Sequence, residues 1–349
     1  MEARAPVTNP TDSPSAGEAT LDVYGLRIAI GGDWPQVTDE LVRDYAWFRV
    51  AGSGSGAPHV RVAARQGPPD FDGLGDLRST FVTPRNVVYQ DGDTTVVDYF
   101  GRAVSVLDRR REQIEIQGED PALVHEAAYL FLLSRIGEHL DEHGLPRLHA
   151  LGISGASGAV AVMLPSGGGK STLALQALRD DACRLLSEDS PLIDRHGVVH
   201  PFPLRIGVNA TDADLLPEWP VRRLERMEFH PKLALEVEAF ADRIEQRPQP
   251  LRHLVIGRRT LGRSSHLEPL PRRSALAPLF RESVVGVGLY QGMEFVLQRG
   301  MTDVFRKTGT AARRARCAAA VVRGAKVWQL WIGRDHARNW QALHGLLDA

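Results

Sequence analysis

The sequence predicts an α/β protein with a mostly β amino-terminal domain, and three observations carry that prediction. Between Thr20 and Gln117 short apolar runs alternate with turn signals, the pattern of consecutive strands. From Asp120 to Gly144 apolar residues recur at helical spacing. Beyond that helix an apolar strand, AVAVML, runs into three consecutive glycines and then an amphipathic segment, LALQALRDD, so that strand and helix alternate as in α/β sheets.

At 349 residues the chain can bury a large core or two ordinary ones, and 43% hydrophobic with 24% charged residues excludes a disordered or fibrous chain. A formal net charge of −1 supplies no global field toward nucleic acid or anionic lipid, so neither is expected as a partner. No apolar run approaches the roughly 18 residues that a spanning helix needs, and the first residues are polar and Pro-rich, so no membrane association or export is expected. Only Cys183 and Cys317 are present, which fits a reducing, cytoplasmic setting and small apolar fillers more than reactive thiolates. Four lysines stand against 38 arginines. In such a chain an arginine cluster says little, and a lysine in a special setting says much.

Taken in order, residues 1–19 have no apolar periodicity and are expected as a disordered tail. Residues 20–119 form the β-rich domain, through LDVYGLRIAI, WFRVAG, HVRVAAR, TTVVDYF, AVSVLD and QIEIQ, with turn signals at Asp72-Gly73 and Asp91-Gly92. The GSGSG stretch ending at Gly56 lacks a following lysine and a helix signal, and reads as a loop. Asp120-Pro121 opens a helix whose stripe of Ala127, Leu130, Phe131, Ile136 and Leu140 is expected to pack on the next domain and mark the domain joint, with Gly144 as its stop. Residues 120–349 then form the second domain. Within it Thr302–Gly324 reads as an Ala-faced helix and KVWQLWIG as a final strand, with Trp328, Trp331 and Trp340 as core or interface aromatics.

The stretch from Pro165 to Thr172, PSGGGKST, carries the chemistry. Gly167, Gly168 and Gly169 let backbone N–H groups converge on phosphate oxygens, and the helix that follows adds the positive end of its dipole. Lys170 is placed to reach β- and γ-phosphates, and the Ser171 hydroxyl to sit on a bridging Mg²⁺. Pro165, Ser166 and Thr172 complete the expected nucleotide-binding loop. The pattern G-x-x-x-x-G-K-[ST] is met except at its first position, where Leu164 stands.

Such a site needs a carboxylate near the loop serine, as a metal ligand or as partner to a bound water. CRLLSEDSPLID supplies two, Glu188 and Asp189, at the end of a strand pattern. Adjacent strand residues point to opposite faces, so both reach one site only if the strand ends or bulges there. Arg205, just after HPFPL, is a candidate for substrate or phosphate contact. The arginines at 252, 258, 259, 263, 272, 273, 313, 314, 316 and 323 read as solvated surface.

Three segments, RLHALGIS, PSGGGKSTLAL and RLLSEDSPLID leading into HPFPL, resemble the HPr kinase/phosphorylase family, and more closely the smaller HPr-kinase-like proteins of peptide natural-product clusters. The resemblance covers residues 120 to 210. It implies a P-loop, HPr kinase-like (PEP carboxykinase-like) catalytic domain, ATP and Mg²⁺ as cofactors, and a serine or threonine hydroxyl on a peptide or small protein as acceptor. Carried over by position, His149 is a catalytic histidine near the loop, Glu188 the base on the accepting hydroxyl and Asp189 its metal-side neighbour, expected with Ser171 to hold Mg²⁺. Glu stands where the family has Asp, and no segment matches the one that the family uses for phosphorolysis and hexamer contacts. A homo-oligomer of another kind is compatible with the sequence. The expected activity is therefore phosphoryl transfer from ATP to a hydroxyl. The alternatives are a nucleotide-dependent regulatory switch and a small-molecule alcohol kinase. A transport ATPase is disfavoured because no LSGGQ-like segment occurs.

Overall fold

A computed structural model describes residues 18–51, 56–165, 167–216, 218–225, 231–281 and 301–348. The expected tail, GSGSG loop and loop residue Ser166 lie wholly or mostly outside these. The protein is mixed α/β with a large β-rich amino-terminal region, and its contacts divide it into two units, the first running to Leu132 and the second starting at Leu133.

The first unit is built on β1 (Ala19–Val23), β2 (Leu26–Gly32), β3 (Val60–Gln66), β4 (Ser79–Val82), β5 (Val87–Asp91), β6 (Thr94–Asp98), β7 (Ala103–Asp108) and β8 (Gln113–Gly118). They form one mixed sheet in the order β1-β2-β3-β8-β7-β6-β5-β4, with β2, β3 and β8 parallel. The strands alternate as one-sided sheets do, so that Ile28, Ile30, Val62, Ile114 and Ile116 are buried. Helix α1 (Pro35–Asp44) was not anticipated from sequence; Pro at its start and Val37, Leu41 and Val42 at helical spacing bury it. At its end Asp44 is fully buried and pairs with His125 Nε2 at 2.8 Å. His125 lies on helix α2 (Pro121–Glu142), which starts where Asp120 accepts hydrogen bonds from the Ala122 and Leu123 amides. The division between the units falls inside α2.

The second unit contains β9 (Leu151–Gly155), β10 (Gly158–Met163), α3 (Lys170–Leu178), β11 (Arg184–Ser187), β12 (Leu192–Ile193), β13 (Val198–His200), β14 (Ile206–Asn209), β15 (Val221–Leu224) and β16 (Lys232–Leu235). It continues with β17 (Gln249–Arg259), β18 (His266–Leu270), α4 (Leu276–Leu279), α5 (Met301–Gly324), β19 (Lys326–Ile332) and α6 (His336–His344). The main sheet runs β11-β9-β10-β17-β13-β12, with β19 on the other flank of β17 and β18 beyond it. β10, β17 and β19 are parallel, and β10 is buried along its whole length, as a central strand must be. β14, β16 and β15 make a separate antiparallel sheet. Leu148, Met163, Leu186, Leu254, Val321 and Val327 belong to one core cluster, and each fully buried aliphatic stabilises the fold by about 1.5–3 kcal/mol. No helix among the described residues is long and apolar enough to cross a membrane.

A buried ion pair ties α5 to α2. Arg314 donates from Nε to Asp141 Oδ1 at 2.9 Å and from Nη2 to Oδ2 at 2.6 Å, and Arg313 donates to the Asp141 carbonyl. Arg314→Ala should leave a buried carboxylate unpaired and lower unfolding free energy by about 3–5 kcal/mol in urea titration. A loss under about 1 kcal/mol would show the pair to be wet and weak.

Candidate active site

The loop after β10 is shaped by close approach of backbone to backbone. The Gly168 amide donates to the Pro165 carbonyl at 2.8 Å, and a Cβ on Gly168 would stand 2.7 Å from that same oxygen. Gly169 precedes α3 in the left-handed region (φ 107°), which glycine adopts without penalty. Gly169, at the N-cap position of α3, has no side chain with which to cap the first turn, whose leading N–H groups have no partner within the helix.

Leu164, the departure from the glycine-loop pattern, is buried rather than loose. It packs where β17 carries Gly257: a Cβ there would lie 2.1 Å from Leu164 Cδ2. The missing side chain of one residue makes room for the extra side chain of the other.

Lys170, the first residue of α3, is buried. Its ammonium donates to His149 Nε2 at 2.8 Å and to the Leu164 carbonyl at 3.2 Å, and lies 3.3 Å from Asp189 Oδ1. His149 Nε2 is also 3.2 Å from Asp189 Oδ1. That nitrogen can serve one neighbour at a time, accepting from Lys170 through its lone pair or donating to Asp189 through a proton. His149 is fixed from both sides, because the Leu148 amide donates to the Pro191 carbonyl and the Ala150 amide to that of Asp189.

β11 ends at Ser187, and its hydroxyl accepts from the Ser190 amide across the following turn. The strand-end condition that lets both carboxylates face one site is thereby met. They divide the partners between them. Glu188 Oε1 accepts from the Ser171 hydroxyl at 2.6 Å, while Asp189 is with Lys170 and His149. Ser171 is thus hydrogen-bonded to Glu188 rather than to Asp189; the turn after Ser187 sends the first carboxylate toward α3 and the second toward His149. Burial, then the nearby Asp189 charge, pushes the Glu188 carboxyl from 4.5 up to about 7, against the Ser171 hydrogen bond and the charges of Lys170 and Lys232. For Asp189 burial alone would raise the value, but the His149 hydrogen bond and the Lys170 charge outweigh it and hold the carboxyl below its ordinary range.

Of the remaining expected residues, Pro165 is exposed, Thr172 half-buried in the first turn of α3, and Arg205 half-buried immediately before β14. Two participants were not read from sequence as site residues. Lys232, on β16, is felt electrostatically by Glu188, and its rarity in an arginine-rich chain was the available signal. Arg259, at the end of β17, donates to the Gly167 carbonyl at 3.3 Å. Elsewhere, Trp328 and Trp331 donate to His253 and Glu268, and Trp340 to Asp180. Both cysteines are buried, and burial first of all pushes the Cys183 thiol up to about 12 and that of Cys317 to about 11, away from thiolate reactivity.

No protein-family model matches the chain, and no curated protein matches it.

Two outcomes test this geometry. Gly257→Ala should displace Leu164 and cost about 1–3 kcal/mol, while Leu164→Ala in the same chain should recover part of that loss; strictly additive losses in a double-mutant cycle would refute the contact. Glu188 is an acid whose folded pKa is raised, so its stabilising contribution is complete below the unfolded value of 4.5 and is lost as pH rises through about 7. In metal-free buffer the melting temperature of Glu188→Gln, relative to the unsubstituted protein, should therefore climb between those pH values and level off above them. Parallel curves would place Glu188 in solvent.

Proposed function

We propose that this chain is an ATP- and Mg²⁺-dependent kinase that transfers the γ-phosphoryl group to a hydroxyl, namely a serine or threonine side chain of a peptide or small protein. One observation carries the reading: a glycine loop, a buried ammonium, a hydroxyl and two carboxylates of different acidity converge at the amino terminus of a helix. The finer fold, HPr kinase-like and PEP carboxykinase-like, belongs to the same proposal; the succession β10, glycine loop, α3 and acidic turn supports it.

The residues fit a divalent cation. Ser171 and Glu188 offer hard oxygen donors side by side, and Mg²⁺ in phosphoryl-transfer sites takes one or two carboxylates together with phosphate oxygens rather than an all-protein cage. Mg²⁺ held there would neutralise phosphate charge. The loop amides from Gly167 to Thr172 and the Lys170 ammonium would hold the triphosphate, with Lys170 exchanging its contacts with His149 and Asp189 for phosphate oxygens.

Asp189 would then orient the acceptor hydroxyl. As the new O–P bond forms, the bond from the γ-phosphorus to the β–γ bridging oxygen breaks, ADP leaves, and the hydroxyl proton passes to the Asp189 carboxylate. His149 Nε2, within reach of that carboxylate, keeps it aimed and can relay the proton. Arg205, half-buried next to β14, remains a candidate for holding the phosphorylated product. Positioning and charge stabilisation supply most of the acceleration in such a reaction.

The test is to incubate the protein with γ-labelled ATP, Mg²⁺ and hydroxyl-bearing peptides, and to follow the label. Label on a peptide hydroxyl supports the kinase; label released only as free phosphate, or retained on nucleotide that binds without turnover, identifies a nucleotide-dependent switch; label on a small alcohol alone changes the acceptor class. Lys170→Ala should abolish nucleotide binding. Asp189→Asn should keep Mg²⁺–nucleotide binding and lose transfer by about 10²-fold or more, whereas Glu188→Gln should chiefly raise the Mg²⁺ concentration required. The reverse pattern would return the two carboxylates to the roles that the family resemblance implies.

A further inference from the structure

β10 and β17 are parallel and in register from Val160 with His253 to Met163 with Ile256, so they leave the sheet at the same end. β10 continues there into the glycine loop, while β17 runs on to Arg259. In open parallel sheets this carboxyl end is where ligands enter. Arg259 Nη1 donates to the Gly167 carbonyl at 3.3 Å, the side chain is exposed, and among the described residues no carboxylate pairs with it. A single neutral carbonyl engages one of the five N–H donors of a guanidinium and neutralises none of its charge, so the remaining donors are available beside the loop. Gly167 lies at the end of the glycine run away from α3, so a group bound at the helix terminus would extend its outermost portion toward Arg259.

We propose that Arg259 is a phosphate-binding residue of this site that selects for the terminal phosphoryl group: its guanidinium leaves or shares the Gly167 carbonyl and takes the non-bridging oxygens of a nucleoside triphosphate. The inference rests on the nucleotide reading above and adds a specificity to it, discrimination of triphosphate from diphosphate by a residue outside the glycine-loop pattern. Arg258 precedes Arg259 on the same strand and therefore points to the other face; it is the internal control.

The experiment measures dissociation constants of a non-hydrolysable ATP analogue and of ADP, each with Mg²⁺, for the unsubstituted protein and for Arg259→Ala, Arg259→Lys, Arg258→Ala and Lys170→Ala, with melting temperatures to establish folding. Arg259→Ala should weaken the triphosphate analogue by about 10- to 100-fold, the range of a charge-assisted hydrogen bond, and leave ADP within about twofold. Arg259→Lys should recover part of the loss, because a point charge reaches the phosphate without the fork, and Arg258→Ala should match the unsubstituted protein. Equal weakening of both nucleotides would make Arg259 a brace for the loop and overturn the proposal, as would unchanged affinity for both. If the unsubstituted protein binds neither nucleotide, or Lys170→Ala binds both normally, the nucleotide reading itself falls and takes this inference with it. Loss confined to Lys170→Ala refutes the inference alone.

Discussion

The second unit is organised around a cation that has been taken out of water. An ammonium buried without partners would shed its proton or destabilise the fold by several kcal/mol, so Lys170 has to be surrounded by acceptors, and three parts of the chain supply them. The carbonyl of Leu164 comes from the end of β10, the ring nitrogen of His149 from the segment before β9, and the carboxylate of Asp189 from the turn after β11. Each of these must then be held. Leu164 is seated against Gly257, His149 is pinned by the backbone bonds of its two neighbours, and the turn that delivers Asp189 is closed by Ser187. A loop rich in glycine would collapse or wander without such an anchor. Here Lys170 fixes the loop itself, and under the proposed function an arriving phosphate would have only to outcompete contacts already arranged around the same charge.

Charge accounting explains why neighbouring carboxylates behave so differently. One ammonium can neutralise one carboxylate in a partly desolvated space, and Asp189 is the one it touches. Glu188 is hydrogen-bonded to a hydroxyl instead, and burial, then the Asp189 charge, outweighs that bond and the more distant lysine charges, so its proton is retained to about pH 7. With both acids ionised, Lys170 in direct contact compensates one of them, and the other charge, on the Glu188–Ser171 pair, is met only by the longer-range field of Lys170 and Lys232. A cation that prefers hard oxygen ligands would neutralise that charge and leave Glu188 ionised at neutral pH. The environment in this way gives the two residues different acidities although they share a peptide bond.

What could be read from the sequence follows how locally the information is stored. PSGGGKST encodes its cradle within a few residues, because glycine, lysine and serine are needed at fixed offsets along one loop, and the acidic pair is visible as the end of a strand pattern. The condition that the strand must stop for both acids to converge was legible too, and it is met at Ser187. What was not legible depends on distant partners. Nothing near Leu164 announces Gly257, and nothing near Glu188 and Asp189 says which faces the Ser171 hydroxyl, since that follows from a turn set by the Ser190 amide. Arg259 was hidden among many arginines, and only the parallel register of β17 with β10 brings it to the loop. Helix α1 carried its own signal, Pro35 followed by apolar residues at helical spacing, but it is short and enclosed by strand patterns.

The leucine at position 164 shows what a loop pattern stands for physically. A glycine at its first position ordinarily lets the chain leave the strand in a tight turn; in this protein that turn is made by the Gly168 amide closing on the Pro165 carbonyl, with Gly168 itself lacking the Cβ that would collide there. The remaining task, getting the residue past its neighbouring strand, is met from outside the loop by Gly257. The pattern is therefore a set of backbone conditions, and a glycine on the adjacent strand can satisfy one that the loop does not. Substituting glycine at 164 alone would not improve such a loop: it would empty the space over Gly257, remove a buried side chain from the core and free the carbonyl that anchors Lys170. The apparent defect and its compensation have to be judged as one unit.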